Sequence, residues 1–373
     1  MMTIVPEKIS KARKLRAARA PGTGLVAEHE DSGEHALAAK LKFLSAPSVY
    51  AGAPESVTLI ETHMSYVFLA GDHAYKLKKP VRYPFLDFST LQARERNCRE
   101  EVRLNRRLTK GVYLGVVPLV RDPVCGFALN GSGEVMEWLV EMRRLPAELM
   151  LDAILKSGKL SATRLDAIST TLAGFYREAE PSQVTPEAYV ARFFREQAKN
   201  RDILTRPSFS AILRGLPFVL DKLDARLATD RALLEARVRM GAVVDGHGDL
   251  RPEHICLTEP IAIFDCLEFN AEFRQVDPFD EIALLGVECA QLGAPELTRK
   301  LAGRLATALG CAVPWRLVSL YAAWRATLRA RLSLSHLLEP APRQPEKWAP
   351  LARDFLHLAQ CALALDMEVE SKE

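Results

Sequence analysis

Several things are scarce or missing in this 373-residue chain, and each absence narrows what it can be. Its seven cysteines (98, 125, 256, 266, 289, 311 and 361) are odd in number, scattered, and form no Cys-x-x-Cys pair. A disulfide framework and a zinc site are therefore not expected; a reducing compartment, by default the cytoplasm, is. No apolar run reaches the roughly 18 residues that argue for a bilayer span. The N-terminus is basic but lacks the apolar centre of a secretory signal. A strong charge of one sign is missing as well, since 50 basic and 47 acidic side chains leave only +3. Residues 1–20 hold six basic side chains (Lys8, Lys11, Arg13, Lys14, Arg16, Arg19) against the single acid Glu7, so the rest of the chain is close to neutral. Nucleic acid binding needs a basic face rather than a basic tail, and neither it nor membrane binding is expected. No Gly-x-x-x-x-Gly-Lys-Ser/Thr loop occurs, and the glycines at 22 and 24 lack its context. Internal repeats are absent too.

What is present is ordinary globular composition, 48% hydrophobic and 26% charged, in a chain long enough for one bilobal domain or two modest ones. Residues 1–35 are polar, basic and Gly/Ala-rich, and read as a flexible extension. From 57 the texture changes. "VTLIETHMSYVFLAGDHAYKLKKPV" contains strand-like runs at 57–60, 65–70 and 74–78, with Gly-Asp-His as the turn between the last two. A helix is predicted over 89–108, with Ser89 as its N-cap and Leu91, Cys98, Val102, Leu104 and Leu108 at helical spacings. "VYLGVVPLV" and "EVMEWLVEM" read as further strands. Residues 36–142 thus describe a small antiparallel sheet with one helix against it. Residues 143–373 read as mostly helical, with helices near 161–179, 186–204, 209–240, 278–292, 294–308, 314–337 and 345–367. Only 242–264 interrupts them. The class is α+β, a β-rich region followed by a helical one.

Phosphoryl transfer asks a protein for positioning and charge neutralisation rather than covalent chemistry. Each requirement has a candidate here, in a workable order. Lys76 in "HAYKLKK" alternates with Tyr75 and Leu77 on a strand, and a lysine facing inward there reaches phosphate oxygens. Lys78 shares its face; the alternative is a solvated edge strand, where Lys is common. Glu101 borders the apolar stripe of the following helix through Leu104 and Leu108, which favours it over Glu100 as the acid that holds this lysine. The alternative for both is an ordinary charged helix surface. In "GHGDLRPEHI", Asp249 follows an apolar run on a turn with His247 and Gly248, suited to accept or orient a proton. By itself such a turn is also ordinary loop chemistry. His254 stands five residues on, where a metal-binding side chain is expected. "IAIFDCLEFN" then delivers Asp265 at the end of an apolar strand, suited to Mg²⁺, with Glu268 in support. In "VDPFDEIALL", Asp277 is the expected N-cap of a helix, and Asp280 in its first turn either complements the helix dipole or reaches back to the backbone donors of the Asp249 loop.

These motifs, taken in order, resemble the core of the aminoglycoside phosphotransferase and choline kinase branch of the protein-kinase-like fold. "ETHMSYVFLAGDHAYKLKKPVRYPFLDFSTLQARERNCREEVRLNRRL" and "FDCLEFN" are similar to a bacterial group of aminoglycoside-phosphotransferase-like proteins, some of which carry a second, P-loop kinase domain. The likeness covers about residues 40–340. It implies a bilobal fold, with a small antiparallel-sheet N-lobe and a helical C-lobe. It also implies ATP and Mg²⁺ as cofactors and a small-molecule hydroxyl as acceptor. Lys76, paired with Glu101, would meet the nucleotide phosphates. Asp249, with His247 beside it, would be the catalytic base, Asp265 the metal ligand and Asp280 a support for the loop. "WLVEMRRLP" would be the hinge, with the backbone near Glu141 and Met142 facing adenine.

The chain departs from that pattern in two places. His254 stands where the family has Asn, and imidazole is a poorer Mg²⁺ ligand than a carboxamide oxygen. No Gly-x-Gly-x-x-Gly loop precedes Lys76; "ETHMSY" takes its place, with Thr62, His63 and Ser65 as candidate phosphate contacts. For the acceptor, "LYAAWRATLRARLSLSH" sets Arg325 and Arg329 on one helical face, able to bind an acidic group bidentately or to snorkel from a packed core. Two readings follow: an ATP-dependent phosphotransferase, or a non-catalytic nucleotide-binding module in which His254 marks lost metal chemistry. A kinase acting on protein fits poorly, because no long activation segment separates Asp265 from Asp277.

Overall fold

A computed structural model describes residues 27–122, 126–212, 214, 216 and 218–370, with side chains described between 36 and 364. The chain divides into two units, Met1–Leu145 and Pro146–Glu373.

In the first unit, helix α1 (Ala27–Leu44) precedes β1 (Val57–Glu61), β2 (Ser65–Ala70) and β3 (His73–Lys78). Short strands β4 (Arg82–Tyr83) and β5 (Leu86–Asp87) lead to helix α2 (Leu91–Asn105), followed by β6 (Tyr113–Asp122), β7 (Gly126–Leu129) and β8 (Glu134–Arg143). Helix α1 starts inside the stretch 1–35 that reads as an extension, because Leu37, Leu41 and Leu44 already recur at helical steps. Residues 1–26 lie outside the described residues. The six-stranded sheet has the order β1-β2-β3-β8-β6-β7, antiparallel throughout.

Strand β3 is central, so the edge-strand reading of Lys76 does not hold: Lys76 lies opposite Val67 on β2 and Val140 on β8. Period-2 alternation splits β3 between two environments. Tyr75 and Leu77 join Leu44, Tyr50, Phe68, Leu119 and Leu139 in an apolar cluster. Lys76 and Lys78 point the other way, where α2 lies. The N-cap of α2 is Thr90, which accepts from the N–H of Ala93 at 3.1 Å, rather than Ser89. Ser89 instead binds the carboxylate of Asp87. The start of a helix is decided by which hydroxyl reaches a free N–H, and adjacent Ser and Thr cannot be separated by pattern alone.

The second unit contains α3 (Leu151–Lys156), α4 (Ala162–Glu178), α5 (Pro186–Leu204), α6 (Phe218–Thr229) and α7 (Arg231–Arg239), then α8 (Pro278–Gln291), α9 (Leu297–Leu309), α10 (Trp315–Ser335) and α11 (Pro345–Glu370). The single helix expected over 209–240 is two. They are separated at Asp230, a buried carboxylate held by Arg226 and Arg316. Helix α8 is buried from Pro278 to Cys289 and packs against α9 and α10.

Between α7 and α8 run four two-residue strands: β9 (Val244–Asp245), β10 (Ile255–Cys256), β11 (Ala262–Ile263) and β12 (Gln275–Val276). They pair as β9 with β12 and β10 with β11. Those two ladders set the 246–254 loop beside the 264–267 segment. Among the described residues, no helix is long and apolar enough to cross a membrane.

Candidate active site

In the first unit, one acid gathers two lysines. Glu101 Oε1 accepts from Lys76 Nζ at 2.9 Å, and Glu101 Oε2 accepts from Lys78 Nζ at 2.5 Å. All three side chains are buried, Glu101 completely. Helix α2 turns Cys98, Glu101, Val102 and Asn105 inward, whereas Glu100 pairs with Arg103 at the surface. An ion pair removed from water this fully is costly to assemble and costlier to break, so its geometry is well defined. Lys78 also lies over the ring of Phe88, 5.0 Å from its centroid.

The remaining first-unit candidates are placed differently. The Thr62 hydroxyl donates to the carbonyl of Ser65 at 2.8 Å and accepts the Ser65 N–H at 2.9 Å. Both polar residues thus close the β1–β2 turn on each other. His63 is exposed and stacks on Tyr83. Glu141 and Met142 lie inside β8, opposite Tyr75 and Ala74 on one side and Gly115 and Tyr113 on the other. The Glu141 carboxylate accepts from the Tyr75 hydroxyl at 2.9 Å. A second buried cluster, in which Glu137 binds Arg94 bidentately and Lys40 as well, has no local signal in the sequence. Its members come from three separated segments.

In the second unit, the Asp249 loop is built around Glu281. Its two oxygens accept the backbone N–H of His247 at 3.0 Å and of Gly248 at 2.5 Å, and Oε2 also accepts from the Tyr176 hydroxyl at 2.9 Å. Burial raises the Glu281 carboxyl above its ordinary range, against the pull of those donors. Gly246 has no room for a side chain: a Cβ there would meet Val276 Cγ2 at 2.5 Å and Glu281 Oε2 at 2.8 Å. Gly248 adopts φ +87°, where glycine is favoured.

The loop support expected of Asp280 therefore belongs to its neighbour. Asp280 is fully buried and held bidentately by Arg325, with both contacts at 2.7 Å. Since α8 is buried on every side, both acids face inward and the stripe argument cannot separate them. Arg325 is thereby paired with Asp280, and Arg329 pairs with Glu288. Asp277 is the N-cap, accepting from the N–H of Phe279 at 3.0 Å, and is held further by Arg237 and Tyr321.

His247 is also corrected. Its Nε2 donates to the Phe264 carbonyl at 2.9 Å, and its Nδ1 accepts the N–H of Asp249 at 3.2 Å, so partner chemistry fixes the tautomer. The ring is fully buried. Burial, and next the adjacent His254, lower its pKa to about 4. Both ring nitrogens are thus engaged within the loop, and the ring is neutral at neutral pH.

Asp249 is the group that loop displays. Burial pulls its carboxyl upward, but Arg251, His254 and Arg329 outweigh that pull and hold it below the usual range, so it is ionised at neutral pH. Asp265 is half-buried and has φ +62°, a left-handed conformation that L residues other than Asn and Asp seldom adopt. Glu268 follows, half-buried.

His254 lies between the two aspartates. Its Nδ1 donates to the Asp249 carbonyl at 2.8 Å, while its Nε2 is 3.6 Å from Asp265 Oδ2, beyond hydrogen-bond reach. Nε2 is buried and has no hydrogen-bond partner. An unsatisfied buried nitrogen beside a carboxylate is a donor set that fits a divalent cation.

No family model matches the chain. It is similar to solved structures of choline/ethanolamine kinases and aminoglycoside phosphotransferases, the group whose motifs it resembles. Among them is a choline/ethanolamine kinase family protein of Mesorhizobium loti, at 16% identity and TM-score 0.47, covering 84% of this chain and 90% of that one. An ethanolamine kinase of Plasmodium vivax matches at 11% and 0.47, covering 83% and 81%. An ADP-bound aminoglycoside phosphotransferase matches at 12% and 0.44, covering 82% and 93%. Likeness of this degree assigns no activity. At higher identity the chain is similar to uncharacterized proteins of Mycobacterium tuberculosis and Mycobacterium bovis, 33% identical over 289 residues, covering 76% of this chain and 55% of the relative. The chain thus spans about half the length of the curated relatives it matches.

Proposed function

We propose that the chain is an ATP-dependent phosphotransferase that moves the γ-phosphoryl group to a hydroxyl of a small molecule. The observation that carries this reading is the buried Lys76–Glu101 pair at 2.9 Å on a central strand. A lysine held there by a helical acid is a fixed positive charge, suited to triphosphate oxygens.

The roles follow from the chemistry of each group. Lys76 offsets charge on the nucleotide phosphates, and Glu101 fixes its ammonium, with Lys78 bound to the same carboxylate. Asp249, ionised and displayed by a braced loop, accepts a hydrogen bond from the acceptor hydroxyl and directs its oxygen toward the γ-phosphorus. The bond between that phosphorus and the β–γ bridging oxygen breaks as the new oxygen–phosphorus bond forms. ADP leaves with the bridging electrons, and Asp249 takes the hydroxyl proton. Asp265, with His254, would hold the divalent cation, which when bound neutralises phosphate charge. Glu281 and His247 keep the Asp249 backbone in shape. Arg325 and Arg329 already pair with acids, Asp280 and Glu288, so the acceptor contact is not assigned to them.

A non-catalytic nucleotide-binding module is the competing reading, and His254 is the observation that favours it. Substituting Asp249→Asn separates the two. ADP release is measured with ATP, divalent cation and a panel of metabolite hydroxyls, alongside nucleotide affinity. The phosphotransferase reading expects Asp249→Asn to lose about 10²–10⁴-fold in turnover while nucleotide affinity stays within about threefold. Nucleotide binding by the unaltered chain without turnover on any acceptor, matched by the variant, supports the binding module instead.

A further inference from the structure

His254 occupies an unusual position for a residue that does nothing. It is 1% exposed, and its ring stacks on that of His247 at 5.9 Å with the planes 21° apart. Its Nδ1 is spent on a backbone carbonyl, that of Asp249. That single bond orients the ring and forces the proton onto Nδ1, so a neutral imidazole carries its lone pair on Nε2. A histidine that donates one ring N–H to a backbone carbonyl and turns the other nitrogen toward a carboxylate has the arrangement metal-ligating histidines show. That second nitrogen is buried and lacks a hydrogen-bond partner, which is costly unless something else occupies it.

The distances agree. Two ligand atoms each about 2.1 Å from one ion lie about 3.0–3.4 Å apart at angles between right and tetrahedral. Nε2 and Asp265 Oδ2 are 3.6 Å apart, too far for a hydrogen bond and close to that separation. Asp265 is delivered there by a left-handed backbone conformation. Nitrogen in a coordination shell changes which ion is held. Mg²⁺ takes oxygen ligands and gives up its water reluctantly. Imidazole suits Zn²⁺, Cu²⁺, Fe²⁺ and Ni²⁺ best. Mn²⁺, the weakest binder of that series and also at home among oxygen ligands, is the transition ion nearest to Mg²⁺ that a mixed imidazole–carboxylate site can favour.

We propose that His254 Nε2 and Asp265 are inner ligands of a divalent transition-metal ion, so that this site takes Mn²⁺ in preference to Mg²⁺. His254 is then a substituted ligand with its own selectivity, and the departure from Asn marks a changed metal. The inference deepens the phosphotransferase reading but does not stand or fall with it.

The test is pulsed electron paramagnetic resonance of Mn²⁺ bound to the full chain, with and without a non-hydrolysable ATP analogue, using protein grown with ¹⁵N-histidine and with ordinary histidine. A histidine ligand gives ¹⁴N modulation that becomes ¹⁵N modulation on labelling, with no variant needed. His254→Asn is expected to remove that modulation, to weaken Mn²⁺ by about 10-fold or more, and to narrow the Mn²⁺ over Mg²⁺ preference measured by competition. Absence of histidine-nitrogen modulation in the unaltered chain overturns the proposal, as does modulation that survives His254→Asn. Nucleotide affinity in the same samples keeps the two readings apart. Bound nucleotide without a histidine nitrogen at Mn²⁺ sinks this inference alone. Histidine-ligated Mn²⁺ without nucleotide binding sinks the phosphotransferase reading and leaves the site standing.

Discussion

Glu101 in the first unit and Glu281 in the second are both completely buried carboxylates, yet they hold opposite kinds of partner. Glu101 binds two ammonium groups, those of Lys76 and Lys78. Glu281 binds two backbone N–H groups and a phenol. The first arrangement fixes charges; the second fixes the path of a backbone. Burial lifts the Glu281 carboxyl, against the opposing pull of those backbone donors, Tyr176 and Arg325. The first unit therefore holds side chains fixed by charge pairing, and the second, taken by itself, holds a loop conformation that displays Asp249.

The largest expected effect breaks the charged side of this comparison. Glu101→Ala leaves two lysines buried without their carboxylate, and should cost about 3–5 kcal/mol in chemical denaturation of the full chain. A loss below about 1 kcal/mol would mean the lysines repair themselves with water. Next comes the neutral histidine of the second unit. His247 stays unprotonated in the folded chain down to about pH 4, while an unfolded chain protonates it below about 6.5. Its contribution is present above pH 6.5 and is lost as pH falls toward 4, about 3 kcal/mol in all. The difference between the stability–pH curves of the unaltered chain and His247→Gln should show that slope in that window; parallel curves contradict it. Smallest is Glu281→Gln, which keeps the volume but sets an amide N–H₂ against a backbone donor. A loss of about 1–2 kcal/mol is expected, with turnover falling more than nucleotide affinity. If instead it costs as much as Glu101→Ala, the contrast between the two acids is unfounded.

How much of this was legible depended on whether the signal was periodic. Strand alternation put Lys76 inward with Lys78 on its face, and the apolar stripe of α2 chose Glu101 over Glu100. Helix α5 runs over Pro186–Leu204, the bounds expected from the sequence. Where periodicity failed, so did the reading. Helix α8 is buried all round, so nothing in its pattern distinguishes Asp280 from Glu281. The Arg325–Asp280 pair spans 45 residues, and no local signal joins them. His247 looked catalytic beside Asp249, but its two nitrogens are engaged by groups that only the fold brings close. The tautomer of His254 follows from one backbone contact and was invisible in the sequence.

The proposed phosphotransferase function requires Lys76 to bind nucleotide phosphates. Thermal unfolding and calorimetric titration of the unaltered chain and Lys76→Met with ATP, in Mg²⁺ and in Mn²⁺, test it most directly. Ligand at 100 times its dissociation constant should stabilise the unaltered chain by about 2.7 kcal/mol, and Lys76→Met, still folded, should lose most of that gain. No stabilisation at roughly millimolar ATP with either cation, or equal stabilisation of both proteins, contradicts it.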